Sequence, residues 1–185
     1  MMDAPGTLPL TTALQLSDPD VALSLVKRLF GKQPHDTMVA LGFTRQCLTA
    51  VVSAHLPTLS PPLPALMQDL TGLLVQHRVT ETITVGYGAA AYMTSALTGL
   101  QGMLDRVGII QMATVHYQNG RYCLPLCPQP GRCCPAENIL WNPDQGDPAA
   151  IAALQAHTPV IHTIYPSRRS LRSIRQPCPT GGARR

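Results

Sequence analysis

The apolar positions change period several times along this chain, and each change marks an element. Between Ser17 and Gly31, Val21, Leu25 and Leu29 recur at helical spacing, which predicts a first helix ending at Phe30. Ser17 or Asp18 can cap it, Pro19 suits its first turn, and Gly31 closes it. Thr37 to Phe43 reads as a short strand and Cys47 to Leu56 as a second, joined by a hairpin. In the second strand Leu48, Ala50, Val52, Ala54 and Leu56 share one face. Thr49, Val51, Ser53 and His55 share the other, which is therefore half-polar. After the Pro-rich stretch at 60–64, a helix is predicted from about Ala65 to His77. Glu81 to Tyr87 is the next strand, Ala89 to Leu104 a helix, and Val107 to Tyr117 a further strand. Asn119-Gly120 supplies the positive φ angles of a tight hairpin turn. The return strand runs from Arg121 towards Leu126, with Pro125 ending its regular pairing.

These elements predict an α/β protein with a mixed five-stranded sheet, in the order α-β-β-α-β-α-β-β. The crossovers make the second, third and fourth strands parallel and form the centre of the sheet. Both crossover helices should lie on one face, with the first helix on the other. A Cys/Pro-rich hairpin cap follows over 121–148, then a short helix near Ala149 to Ala156. Residues 1–17 read as a flexible N-terminus, 18–160 as a single domain, and 161–185 as a basic flexible tail.

Composition refines this picture in two ways. With 45% hydrophobic and 13% charged residues, the chain can bury a core and is not a disordered polyelectrolyte. The net charge of +4 is unevenly placed: residues 1–160 carry eight Lys or Arg against ten Asp or Glu, while residues 161–185 carry six Arg and no acid. The body is nearly neutral and the end is basic. The start shows no basic segment followed by an apolar core, and no apolar run has membrane-spanning length. A soluble, cytoplasmic protein is expected, with no membrane partner and with thiols kept reduced.

The densest chemistry lies in Cys123-Leu-Pro-Leu-Cys127-Pro-Gln-Pro-Gly-Arg-Cys133-Cys134-Pro135, which holds four of the six cysteines. A two-residue turn at Asn119-Gly120 sets Tyr117 opposite Tyr122 and His116 opposite Cys123. Opposed residues have Cβ atoms about 4.5–5.5 Å apart, a spacing that suits two ligands of one zinc ion. Cys127 joins them only if Pro125 or Pro128 turns the chain back. Three readings stay open: a zinc site drawing on His116, Cys123, Cys127, Cys133 and Cys134; buried small residues in a Pro-rich cap; or a disulfide or redox pair.

Several landmarks occur in order: Gly31-Lys-Gln-Pro34-His-Asp36-Thr37 before the first strand, the Asn-Gly hairpin, Tyr122 through Pro135, and Pro166-Ser-Arg168. Over roughly residues 8–172 the chain resembles the actinobacterial domain-of-unknown-function family 4192. Cys127, Cys133, Cys134 and Pro135 match that family's C-x-D-P-x-C-C-P-like segment, in a longer loop and without its Asp. The resemblance implies a fold and a Cys motif, but no activity.

Gly86-Tyr-Gly88-Ala-Ala-Ala91, between a strand and a helix, loosely resembles a phosphate-cradling turn, so Gly86 and Gly88 are candidate cofactor positions. Close helix–strand packing explains the same small residues. His35 and Asp36 mark a turn, and His55 belongs to the half-polar strand face. No nucleophile-elbow, zinc-protease, Walker or kinase motif occurs, so no catalytic residue is assigned. Arg168, Arg169, Arg172 and Arg175 could contact nucleic-acid phosphates, although no aromatics are interleaved for base stacking. The expected function is a binding or interaction module with a Cys-rich structural cap, for which zinc is one candidate stabiliser, forming a homodimer through its half-polar sheet face. The alternatives are an enzyme or nucleotide-binding protein at the Gly86–Gly88 loop, and a nucleic-acid accessory protein using the Arg-rich tail.

Overall fold

In the computed structural model, which describes residues 18–45, 47–56, 63–129, 131–132, 138–142 and 159–165, the first helix starts where its capping chemistry dictates. The Asp18 carboxylate accepts a hydrogen bond from the Asp20 N–H at 3.0 Å, and Gly31 closes the helix at φ 72°. This helix is α1, Pro19–Phe30. It is followed by β1 (Thr37–Thr44), β2 (Cys47–His55), α2 (Leu63–Gln76), β3 (Glu81–Tyr87), α3 (Ala90–Val107) and β4 (Ile110–Gln118). Three short strands complete the sheet: β5 (Arg121–Cys123), β6 (Ile139–Leu140) and β7 (Val160–Ile164).

The described residues thus form an α/β fold with three helices and one mixed seven-stranded sheet, in the order β6-β5-β4-β3-β1-β2-β7. This corrects the expected five strands. Two were missed, and β5 ends at Cys123 instead of running on towards Leu126. The expected tail from residue 161 overlaps β7, which pairs in parallel with β2 from Ala50↔Val160 to Ala54↔Ile164. β2, β3 and β4 do run in one direction, but β1 lies between β2 and β3, antiparallel to both. The expected short helix at 149–156 and the segments 1–17 and 166–185 lie outside the described residues. No helix among the described residues is long and apolar enough to cross a membrane.

Strand alternation divides the core in two. Val39, Leu41 and Phe43 of β1 join Ile83, Val85 and Val115 beneath α1. Met38 and Ala40 join Ala50, Val52 and Ala54 beneath α2 and α3, where Leu70, Leu97 and Leu100 are fully buried. Each such leucine contributes about 1.5–3 kcal/mol through removal from water. Leu48 departs from the expected face. The ladder slips between Gly42 and Phe43, so that Thr49 has no opposite residue and its hydroxyl donates to the Gly42 carbonyl at 3.2 Å. A bulge inverts the alternation beyond it, and Leu48 joins the α1 side with Phe43.

The α1 side carries the aromatics. Trp141 stands edge-on to Tyr117 with ring centroids 5.7 Å apart, and Tyr117 is 5.5 Å from Tyr87. Burial, with help from Asp20 and Asp18, holds the Tyr122 hydroxyl up to about 12, and burial also raises Tyr87. A phenol whose folded pKa lies above its unfolded value near ~10 supports the fold below that pH. Its contribution is lost as pH rises through the folded pKa. The melting temperature should therefore fall between pH 10 and 12, and Tyr122→Phe should flatten the decline. A pH-independent melting temperature over that window would contradict this linkage.

Candidate functional site

The carboxyl ends of β2, β3, β4 and β7 all emerge at one edge of the sheet, where β1 begins. Ligands of open α/β sheets are held at such an edge. Two arrangements of polar side chains occupy it, one on each face.

On the α1 face lies a cavity of about 340 Å³. Phe30 and Pro34 give it an apolar wall beyond the end of α1, and Lys32 and His35 line it from the turn before β1. Thr37, Ser53 and His55 form its floor on β1 and β2, and Thr163 and Tyr165 close it from β7. The floor is internally ordered. The Thr37 hydroxyl donates to the His35 carbonyl at 2.6 Å and lies 3.4 Å from His55 Nδ1. With its only proton committed, Thr37 can interact with His55 solely as an acceptor. Ser53, only 2% exposed, donates to the His162 carbonyl at 3.3 Å and lies 3.0 Å from the Thr163 hydroxyl. These contacts depend on the register that sets Ser53 beside Thr163. On the opposite face of the same strand, His162 Nε2 lies 2.7 Å from His77 Nε2 at the end of α2. This contact fastens β7 to the body and so holds the cavity's far wall.

The half-polar strand face noted in the sequence is therefore the cavity floor. His35 and His55, seen separately in the sequence, line one space, and Lys32, Thr37, Ser53, Thr163 and Tyr165 join them. The β-branched Val160-Ile-His-Thr-Ile164 run was the available signal for the missing strand.

The β4–β5 hairpin takes the register expected from the turn, Tyr117↔Tyr122 and His116↔Cys123; the tyrosines face the α1 core, and His116 and Cys123 the α2/α3 side. Asn119 and Gly120 both take positive φ, 51° and 77°. Cys123 Sγ lies 3.9 Å from His116 Nδ1, and His116 Nε2 lies 2.9 Å from the Gly88 carbonyl oxygen. A carbonyl only accepts, so Nε2 carries the proton and, in the neutral ring, Nδ1 presents its lone pair to the thiol. Burial pushes the Cys123 thiol pKa up.

Gly88 and the His116–Cys123 pair, inferred separately, thus meet at the start of α3. Gly88 takes φ 140°, and a side chain there would lie 2.8 Å from the Asp36 carboxylate. Gly86 is different: a Cβ on it would come within 2.5 Å of Met93, so this glycine serves close packing of α3 on β3. Of the candidate metal set, His116, Cys123 and Cys127 lie among the described residues. Among the described residues no group of three or more His, Cys, Asp or Glu is placed to hold a metal, so Cys127 does not complete a site with His116 and Cys123. The Cys127 N–H instead bonds the Leu124 carbonyl in a tight turn, at 3.2 Å. Cys133 and Cys134 lie outside the described residues.

No protein-family model, curated protein or solved structure matches this chain.

Proposed function

We propose that the protein is a binding module for a small anionic ligand held in the cavity at the carboxyl end of β2. One observation carries this reading. The described residues lining the cavity include one lysine, two histidines and the hydroxyls of Thr37, Ser53, Thr163 and Tyr165, with no carboxylate among them. A lysine and imidazole N–H groups donate to an anion, and the Thr163 and Tyr165 hydroxyls can add donors, whereas Thr37 and Ser53 already donate to carbonyls. Its size falls in the range of small-molecule sites, roughly 300–1,000 Å³. Phe30 and Pro34 offer an apolar surface to the remainder of the ligand. The resemblance to family 4192 adds no activity, and the zinc-stabilised cap is not needed for this site.

A thermal-shift panel of inorganic phosphate, small carboxylates and nucleoside phosphates tests the reading. At a hundred times its dissociation constant, a ligand raises stability by about 2.7 kcal/mol. The panel should contain at least one anion that raises the melting temperature, and Lys32→Ala with His35→Ala should remove the shift. A flat panel, or a shift that survives both substitutions, would reject this pocket.

A further inference from the structure

We propose that Cys123 is a thiol–disulfide exchange site in which His116 takes the thiol proton, with low-molecular-weight disulfides as its substrate class. The site is separate from the anion cavity, on the other face of the sheet. Nucleophilic thiol chemistry needs a sulfur, a base within reach and a third group that orients the base. All three are present. The Gly88 carbonyl fixes the His116 ring through Nε2 at 2.9 Å, and Nδ1 stands 3.9 Å from the Cys123 sulfur. The β4–β5 pairing holds both residues side by side. His116 is only 5% exposed, so little water competes for its lone pair, whereas Cys123 is partly exposed and open to a reagent.

A free thiol is mostly protonated at neutral pH, so its attack depends on a base within reach. In the step proposed, Nδ1 accepts the Sγ proton as Sγ attacks one sulfur of a disulfide R–S–S–R. The Sγ–S bond forms, the S–S bond of the reagent breaks, and R–S⁻ leaves. The imidazolium returns the proton to give R–SH. Cys123 is oxidised to a mixed disulfide, and one reagent sulfur is reduced to a thiol.

Cys47 supplies an internal reference, being also partly exposed and free. The test incubates the full reduced chain with oxidised glutathione near pH 7 and follows each cysteine by peptide mapping. Cys123 should exchange at least tenfold faster than Cys47, with one reduced glutathione released per Cys123 modified. His116→Gln, which can still donate to the Gly88 carbonyl but lacks the base, should bring Cys123 down to the Cys47 rate or below. An unchanged Cys47 rate in that variant would confirm that its fold is intact. If wild-type Cys123 exchanges no faster than Cys47, desolvation outweighs the base and the proposal fails, whatever the variant does. Retention of the fast rate in His116→Gln would equally overturn it.

Discussion

Gly86→Val is expected to lower stability by about 3 kcal/mol, near the upper end of ordinary overpacking. For a domain of this size that is a melting-temperature loss of roughly 6–12 °C. The new side chain would enter space held by Met93 Cγ and Sδ, each 2.5 Å from the position of its Cβ, with Leu97 at 3.2 Å. Met93 and Leu97 are fully buried, so neither can swing into solvent. The helix must lift from the strand or the methionine must leave a rotamer well. Met93→Ala in the same chain opens that space, so the double variant should be less destabilised than the sum of the two changes. Urea unfolding of the four proteins measures this. An additive cycle, or a harmless Gly86→Val, would show that α3 does not press on β3 at this point.

Trp141→Ala is expected to cost about 3–5 kcal/mol, the usual range for deleting a large buried aromatic. Trp141 is 4% exposed and belongs to the core beneath α1, directly after β6. Its backbone N–H bonds the Gly120 carbonyl at 2.9 Å and would survive the change, but its ring, which meets Tyr117 edge-on, would be lost. A two-residue strand has few ladder bonds of its own, so the indole is what holds β6 against β5. Hydrogen exchange should speed up at 121–123 and 138–142 in the variant while β1 and β2 stay protected. Unfolding must be followed by circular dichroism, because Trp141 is the only tryptophan. A loss under about 1 kcal/mol, within the range of ordinary surface changes, would contradict a core role.

How much of this was legible in the sequence depended on how local the deciding interactions were. The hairpin register could be read because Asn119 and Gly120 fix it within two residues. The helix stop at Gly31 was equally local. The face of Leu48 was misread because strict alternation was assumed, and the Thr49 bulge breaks it through a contact made only once β1 and β2 have paired. β7 was missed for a stronger reason. It pairs with β2 across more than a hundred residues, and a five-residue β-branched run beside an Arg-rich end reads as the start of a tail. With β7 unplaced, Ser53 and His55 read only as a half-polar strand face, and the cavity they line with Thr163 and Tyr165 was not visible. Gly88, His116 and Cys123 were each noticed, but their meeting follows from the parallel pairing of β3 with β4, which sets Gly86 beside His116.

The most direct measurement of the central claim is amide chemical-shift mapping on isotopically labelled protein titrated in turn with inorganic phosphate, a small carboxylate and a nucleoside phosphate. The cavity account predicts saturable changes clustered at residues 32–37, 53–55 and 163–165, suppressed by Lys32→Ala with His35→Ala. Changes confined to the start of α3 and the β4–β5 hairpin, or to the arginines from 168 onwards, would contradict it, as would a spectrum that does not move at all.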